Sequence, residues 1–129
     1  MFKVELKTGP QIDVASRKHS FNYATNGSLP NPLEAFYASL AGCAGVYAKK
    51  ACHELGIPDE GIVINLRAVA NTSNPMVPDK IVTSVSFPEQ IDANARTAIL
   101  DAISHCAVKE VVKQGAGIQF SAIEGSSLK

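Results

Sequence analysis

Three cysteines, Cys43, Cys52 and Cys106, have the clearest capacity for covalent chemistry in this sequence. The thiolate is the nucleophile, and a helix N-terminus or a nearby cation favours its formation. Cys106 falls in Ser104-His105-Cys106-Ala107, at the junction of two expected helices. If it opens the second helix, unpaired backbone N–H groups stabilise its thiolate. Cys43 lies in the middle of a long expected helix, so its activation must come from residues distant in sequence. Cys52 follows nine residues after Cys43. At about 100° per residue it points to the opposite helix face and makes a poor partner. Buried cysteine is also an ordinary small hydrophobe. Local sequence alone favours that reading for Cys43, and more strongly for Cys52.

Other reactive groups give weaker signals. His105 beside Cys106 reads as a base or ligand candidate, His53 lies beside Cys52, and His19 reads as a surface residue. Neither C-x₂₋₄-C nor H-x₃₋₅-H spacing occurs, so no metal site is expected. Arg17-Lys18 is a short basic pair, normally solvated, although an arginine can be recruited to a thiolate. Glycine-rich phosphate-binding motifs and a G-x-S-x-G elbow are both missing, which leaves nucleotide and serine-hydrolase chemistry without a starting point.

The elements that must position these groups are readable from turn and cap signals. Residues 1–7 and 11–15 alternate around Thr8-Gly9-Pro10, and 19–24 supply a third short strand. Asn31-Pro32 is an N-cap followed by proline at the first helical position, and Gly56-Ile57-Pro58 marks the end of a helix running to about Leu55. Its centre, Ala38 to Gly45, is nearly all small or apolar, which predicts close packing on every side. Phe36, Leu40, Cys43, Tyr47 and Lys50 share one face. Residues 62–70 and 80–87 predict an antiparallel hairpin with a long loop. Asp92 caps a helix through Ile103 that buries Ala95, Ile99, Ala102 and Ile103. A short helix from about Ala107 to Lys113 and a last strand, Ile118–Ile123, complete an α+β layout with a helix buried between sheet surfaces.

The 129 residues suffice for one core and are read as a single domain, 1–129. Twelve basic residues balance twelve acidic ones along the chain, which gives no electrostatic footprint for a nucleic acid. No stretch approaches the roughly 18 apolar residues of a membrane span, and Met1 to Gly9 lack the apolar region of a signal peptide. A cytoplasmic location is therefore expected. An odd, low cysteine count fits a reducing compartment and keeps a thiol mechanism open.

The run from Asn31 to Cys43, NPLEAFYASLAGC, resembles the signature of the OsmC/Ohr family, in which an N-P-x-E stretch leads into L-A-G-C. Ile103-Ser104-His105-Cys106 resembles the family's second cysteine block. Cys106 follows Cys43 by 63 residues, about the separation the family shows. The element order extends the resemblance over essentially the whole chain. It implies an OsmC-like fold, with antiparallel sheets packed around a long central helix, in an intertwined homodimer with two interface sites. It also reverses the reading of Cys43. By resemblance, Cys43 is the peroxidatic thiol that attacks an organic hydroperoxide and becomes a sulfenic acid, and Cys106 resolves it as a disulfide. Arg17 takes the place of the activating arginine, and Phe36, Leu40 and Tyr47 are candidate lining residues for a hydrophobic substrate. No cofactor is implied; an external dithiol from a thiol reductant system must reopen the disulfide.

Three positions depart from the pattern. The hydroperoxide-resistance branch carries a glutamate directly after N-P that orients its arginine; Leu33 stands there, and Glu34 is turned about 100° away. Nothing local around Arg17 matches the family's arginine loop. Ala107 follows Cys106 where the peroxidases commonly have proline. These features resemble looser OsmC-like branches and motivate an alternative expectation, a non-catalytic protein that binds a small molecule or lipid or senses redox state.

Overall fold

A computed structural model describes residues 1–123. Its class is α+β, with two small antiparallel sheets and three helices among the described residues. Strands β1 (Lys3–Val4), β2 (Gln11–Ala15) and β3 (Ser20–Ala24) form a meander, with Val4 opposite Val14 and Ile12 opposite Tyr23. The first strand covers two residues of the expected seven, because only Lys3 and Val4 find partners on β2. Phe2 and Leu6 flank it, 66% and 77% exposed.

Helix α1 (Pro32–Leu55) starts where its cap residue dictates: Asn31 accepts the N–H of Glu34 through its side chain at 2.9 Å. It stops at Gly56, whose φ of 67° and ψ of 32° are left-handed and suit a residue without Cβ. Strands β4 (Val63–Val69) and β5 (Lys80–Ser86) pair from Val63 with Ser86 to Val69 with Lys80. Helix α2 (Ala93–Ser104) is capped by Asp92, and α3 (Ala107–Gln114) by Cys106.

The core lies on one side of α1. Leu40, Ala44, Ala48, Ala51 and Cys52 are its buried residues, a stripe at helical spacing. Ala48, Ala51 and Cys52 pack with Ile91 and Ile99, and Ala95, Ala102 and Ile103 of α2 join as expected. Arg96 braces the entry to α2, donating to the carbonyls of Ile91 at 2.7 Å and Pro88 at 3.1 Å while lying over the Phe87 ring.

Two expectations fail within the chain. Residues 118–123 form no strand, because an extended segment is a strand only when its ladder groups find a partner. Ile118 and Phe120 are 80% and 92% exposed. Nor is α1 packed on every side: a Cβ built on Gly42 or Gly45 would meet nothing within 4 Å, and Val46 is half exposed. Among the described residues, no helix is long and apolar enough to cross a membrane.

Candidate functional site

The first turn of α3 explains the position of Cys106. As N-cap with extended backbone, φ −63° and ψ 139°, its Sγ accepts the N–H of Lys109 at 3.3 Å. A thiol thus occupies the place that Asn31 and Asp92 fill in the other helices, and the N-terminal end of α3 points its positive dipole at sulfur. Lys109 fixes this junction from outside: its Nζ donates to the Ser104 carbonyl at 2.8 Å and to Glu110 Oε1 at 3.0 Å. The same contact with Lys109 holds the Glu110 carboxyl below its ordinary range.

Because α3 packs on α1, its cap meets the helix that carries Cys43. Cys43 is near enough to influence the proton affinity of Cys106, but of the two only Cys106 lines the cavity beside them. All three cysteines are free thiols; Cys106 is buried, and Cys43 is partly exposed. Burial pushes the Cys106 thiol up from its ordinary value; the Lys109 N–H opposes this, the Cys43 neighbour adds to it, and the Val108 N–H opposes it weakly. Cys52 faces away from the pair into the core, fully buried. Burial raises its thiol pKa, Asp59 adds to the effect, and Lys49 offsets part of it.

A cavity of about 760 Å³ opens beside Cys106. Phe36 and Leu40 line it, as their helix face predicts, whereas Tyr47 does not; its ring instead lies against the Lys50 ammonium at 5.2 Å. Tyr47 is about three turns beyond Phe36, past Ala44, the last α1 residue in the lining. The opposite wall was not legible in sequence: Met76 and Val77 come from the β4–β5 loop, and Ile81 and Val85 from β5. Only the hairpin's tertiary placement brings them there. Leu33, in the position of the family glutamate, is also in the lining.

Arg17 is elsewhere in the chain. It sits at the exposed turn between β2 and β3, outside the cavity lining, where Ser16 accepts the N–H of His19 through Oγ and organises the turn. His105 caps α2, and its Nδ1 lies 2.7 Å from the Asp101 carbonyl, so that nitrogen carries a proton. Among the described residues no group of three or more His, Cys, Asp or Glu could hold a metal ion.

A hydrophobic helix presenting one thiol to a second thiol at a helix cap, beside an apolar cavity, is an arrangement fit for sulfur redox chemistry. The family model for OsmC-like proteins matches residues 25–121, and the chain belongs to that family. The fold is similar to the OsmC-like protein of Mycoplasma pneumoniae, with TM-score 0.69 and 15% identity over 88% of this chain and 86% of that one. A hypothetical protein of Aquifex aeolicus gives TM-score 0.64 and 18% identity, with 88% and 86% covered. The organic hydroperoxide resistance protein OhrB of Bacillus subtilis gives TM-score 0.50 and 17% identity, with 88% and 90% covered. At these identities the likeness concerns the fold. No curated protein sequence matches the chain.

Proposed function

We propose that the protein is a thiol-dependent peroxidase for organic hydroperoxides, with Cys43 as the attacking thiol and Cys106 as the resolving one. The observation that supports this reading is the proximity of the Cys43 thiol to Cys106, which lines an apolar cavity. The Cys43 thiolate attacks the terminal peroxide oxygen, the O–O bond breaks, and the leaving alkoxide takes a proton to become the alcohol. Cys43 is then a sulfenic acid. The sulfur of Cys106 displaces its hydroxyl, which leaves as water, and the disulfide forms. An external dithiol reduces the bond by exchange and is itself oxidised to a disulfide. Burial raises the Cys106 thiol above its ordinary value.

The working form in this reading is an intertwined cytoplasmic homodimer. Exposed Phe2, Leu6, Ile118 and Phe120, together with the open face at Gly42, Gly45 and Val46, are apolar surface that a second copy would cover. In the dimer, Arg17 is the cation assigned to the Cys43 thiolate, and Tyr47 lines the completed site. Steady-state consumption of cumyl hydroperoxide with a dithiol tests the proposal. Cys43→Ser abolishes turnover; a rate equal to the parent's would sink it.

A second reading is favoured by Leu33 in the cavity lining where a family glutamate would orient the arginine. It makes the protein a binder of hydrophobic small molecules or a redox sensor without turnover. Rapid catalytic turnover with a dithiol would rule it out.

A further inference from the structure

Cys106 is buried, but the helix it caps has little packing of its own. Helix α2 is anchored through Ile99, which is fully buried, whereas α3 buries no residue, and its Val111 and Val112 are 63% and 43% exposed. The backbone leaves α2 through His105, at φ −100° and ψ 14°, and enters α3 through Cys106, at φ −63° and ψ 139°. The last torsion before α3 is therefore the ψ of Cys106 itself. A rotation there swings α3, and with it the N–H that holds the sulfur. Two backbone bonds of 3.1 Å, from His105 N–H to the Ala102 carbonyl and from Cys106 N–H to the Ile103 carbonyl, come before that torsion and leave it free.

Lys109 spans it. Its N–H reaches Cys106 Sγ at 3.3 Å, and its Nζ returns across the junction to the Ser104 carbonyl at 2.8 Å. Glu110 Oε1, 3.0 Å from Nζ, keeps the ammonium in place. That ammonium stands at the C-terminal end of α2, where a carbonyl without a helical partner and the negative end of the dipole both favour a cationic donor.

We infer that Lys109 is a positioning residue for the resolving thiol: by tying Ser104 to the first turn of α3 it locks the torsion that aims Cys106 Sγ at Cys43. The inference deepens the peroxidase reading and takes its catalytic meaning from it. In the step concerned, Cys106 Sγ attacks the Cys43 sulfenic acid, the S–S bond forms, the S–O bond breaks, and the hydroxyl leaves with a proton as water. A swinging α3 lowers the fraction of molecules poised for that attack, while the earlier attack of Cys43 on peroxide does not use this torsion.

Lys109→Met keeps the side-chain stem and removes its donors. In single-turnover quench experiments with tert-butyl hydroperoxide, dimedone capture reports the Cys43 sulfenic acid and non-reducing peptide mapping reports the disulfide. The substitution slows disulfide formation about three- to tenfold relative to sulfenic acid formation, as the loss of one hydrogen bond to a charged group implies. Lys109→Arg, which retains a cationic donor, recovers most of the rate. A second measurement needs no peroxide. In glutathione buffers, glutathione disulfide oxidises the two thiols to the Cys43–Cys106 bond and leaves as two glutathione thiols, so the equilibrium gives the effective concentration of one cysteine at the other. Lys109→Met lowers it by a similar factor. Equal slowing of both steps, an unchanged effective concentration, or no recovery with arginine would overturn the inference. A parent protein that forms the disulfide with glutathione but is inert to hydroperoxide refutes the peroxidase reading alone. One that forms it with neither refutes both.

Discussion

The sulfur of Cys106 accepts the backbone N–H of Lys109 at 3.3 Å, so the thiol that caps α3 is also the one whose proton affinity the neighbouring Cys43 of α1 influences. Structure and chemistry share an atom, and substitutions at this position separate them. Cys106→Ser keeps a capping acceptor and should leave urea stability within about 0.5 kcal/mol of the parent, while Cys106→Ala should lose about 1 kcal/mol. Neither forms the disulfide, so a difference in stability without a difference in redox behaviour is the expected signature.

Alkaline titration should weaken the fold. The thiols of Cys52 and Cys106 are both raised above their ordinary 9.0, chiefly by burial. The native state therefore holds protons that the unfolded chain releases, and their contribution is fully present below pH 9 and lost as pH rises through the folded values. Urea midpoints should be level from pH 7 to 8 and fall above pH 9. Cys52→Ala with Cys106→Ser should flatten that alkaline limb.

Accessibility orders the three thiols. With iodoacetamide on the native reduced protein, Cys43 should be modified first, Cys106 later and Cys52 only on unfolding, because Cys52 is fully buried and Cys106 is 3% exposed. Peptide mass spectrometry over a time course reads the order directly. Modification of Cys52 ahead of Cys43 would contradict the packing of α1.

Arg96 should prove structural. Its side chain serves two backbone carbonyls and the Phe87 ring. Arg96→Ala should cost about 2 kcal/mol, and lysine should recover little, since an ammonium cannot span both acceptors in a planar fork. Ile99→Ala, at a fully buried position, should cost about 2–5 kcal/mol.

The sequence was most legible where a local signal decides the structure. Asn31-Pro32, Gly56 and Asp92 determine helix ends through their own side chain or φ, and they stand at the expected helix ends. The hairpin followed from alternation, with Val63 and Ser86 at its open end. Legibility stopped where a partner decides. Residues 118–123 alternate like a strand but pair with no strand among the described residues, and Gly42 and Gly45 lie on a face of α1 where an added Cβ would meet nothing within 4 Å. Helix geometry places Phe36 and Leu40 on one face, and the family resemblance made them lining candidates, whereas Met76 and Val77 sit in a turn-rich loop whose sequence says nothing of where it folds. Cys106 was readable as a helix cap; its approach to Cys43 depends on the packing of α3 on α1.

The most direct test of the central claim is non-reducing peptide mapping after one equivalent of cumyl hydroperoxide is added to the fully reduced protein. The account predicts a single new species, a peptide pair joined through Cys43 and Cys106, with Cys52 still alkylatable after unfolding. In Cys106→Ser it predicts a Cys43 sulfenic acid that a dimedone probe captures. A reduced Cys43 after complete consumption of the peroxide, or a disulfide that includes Cys52, would contradict it.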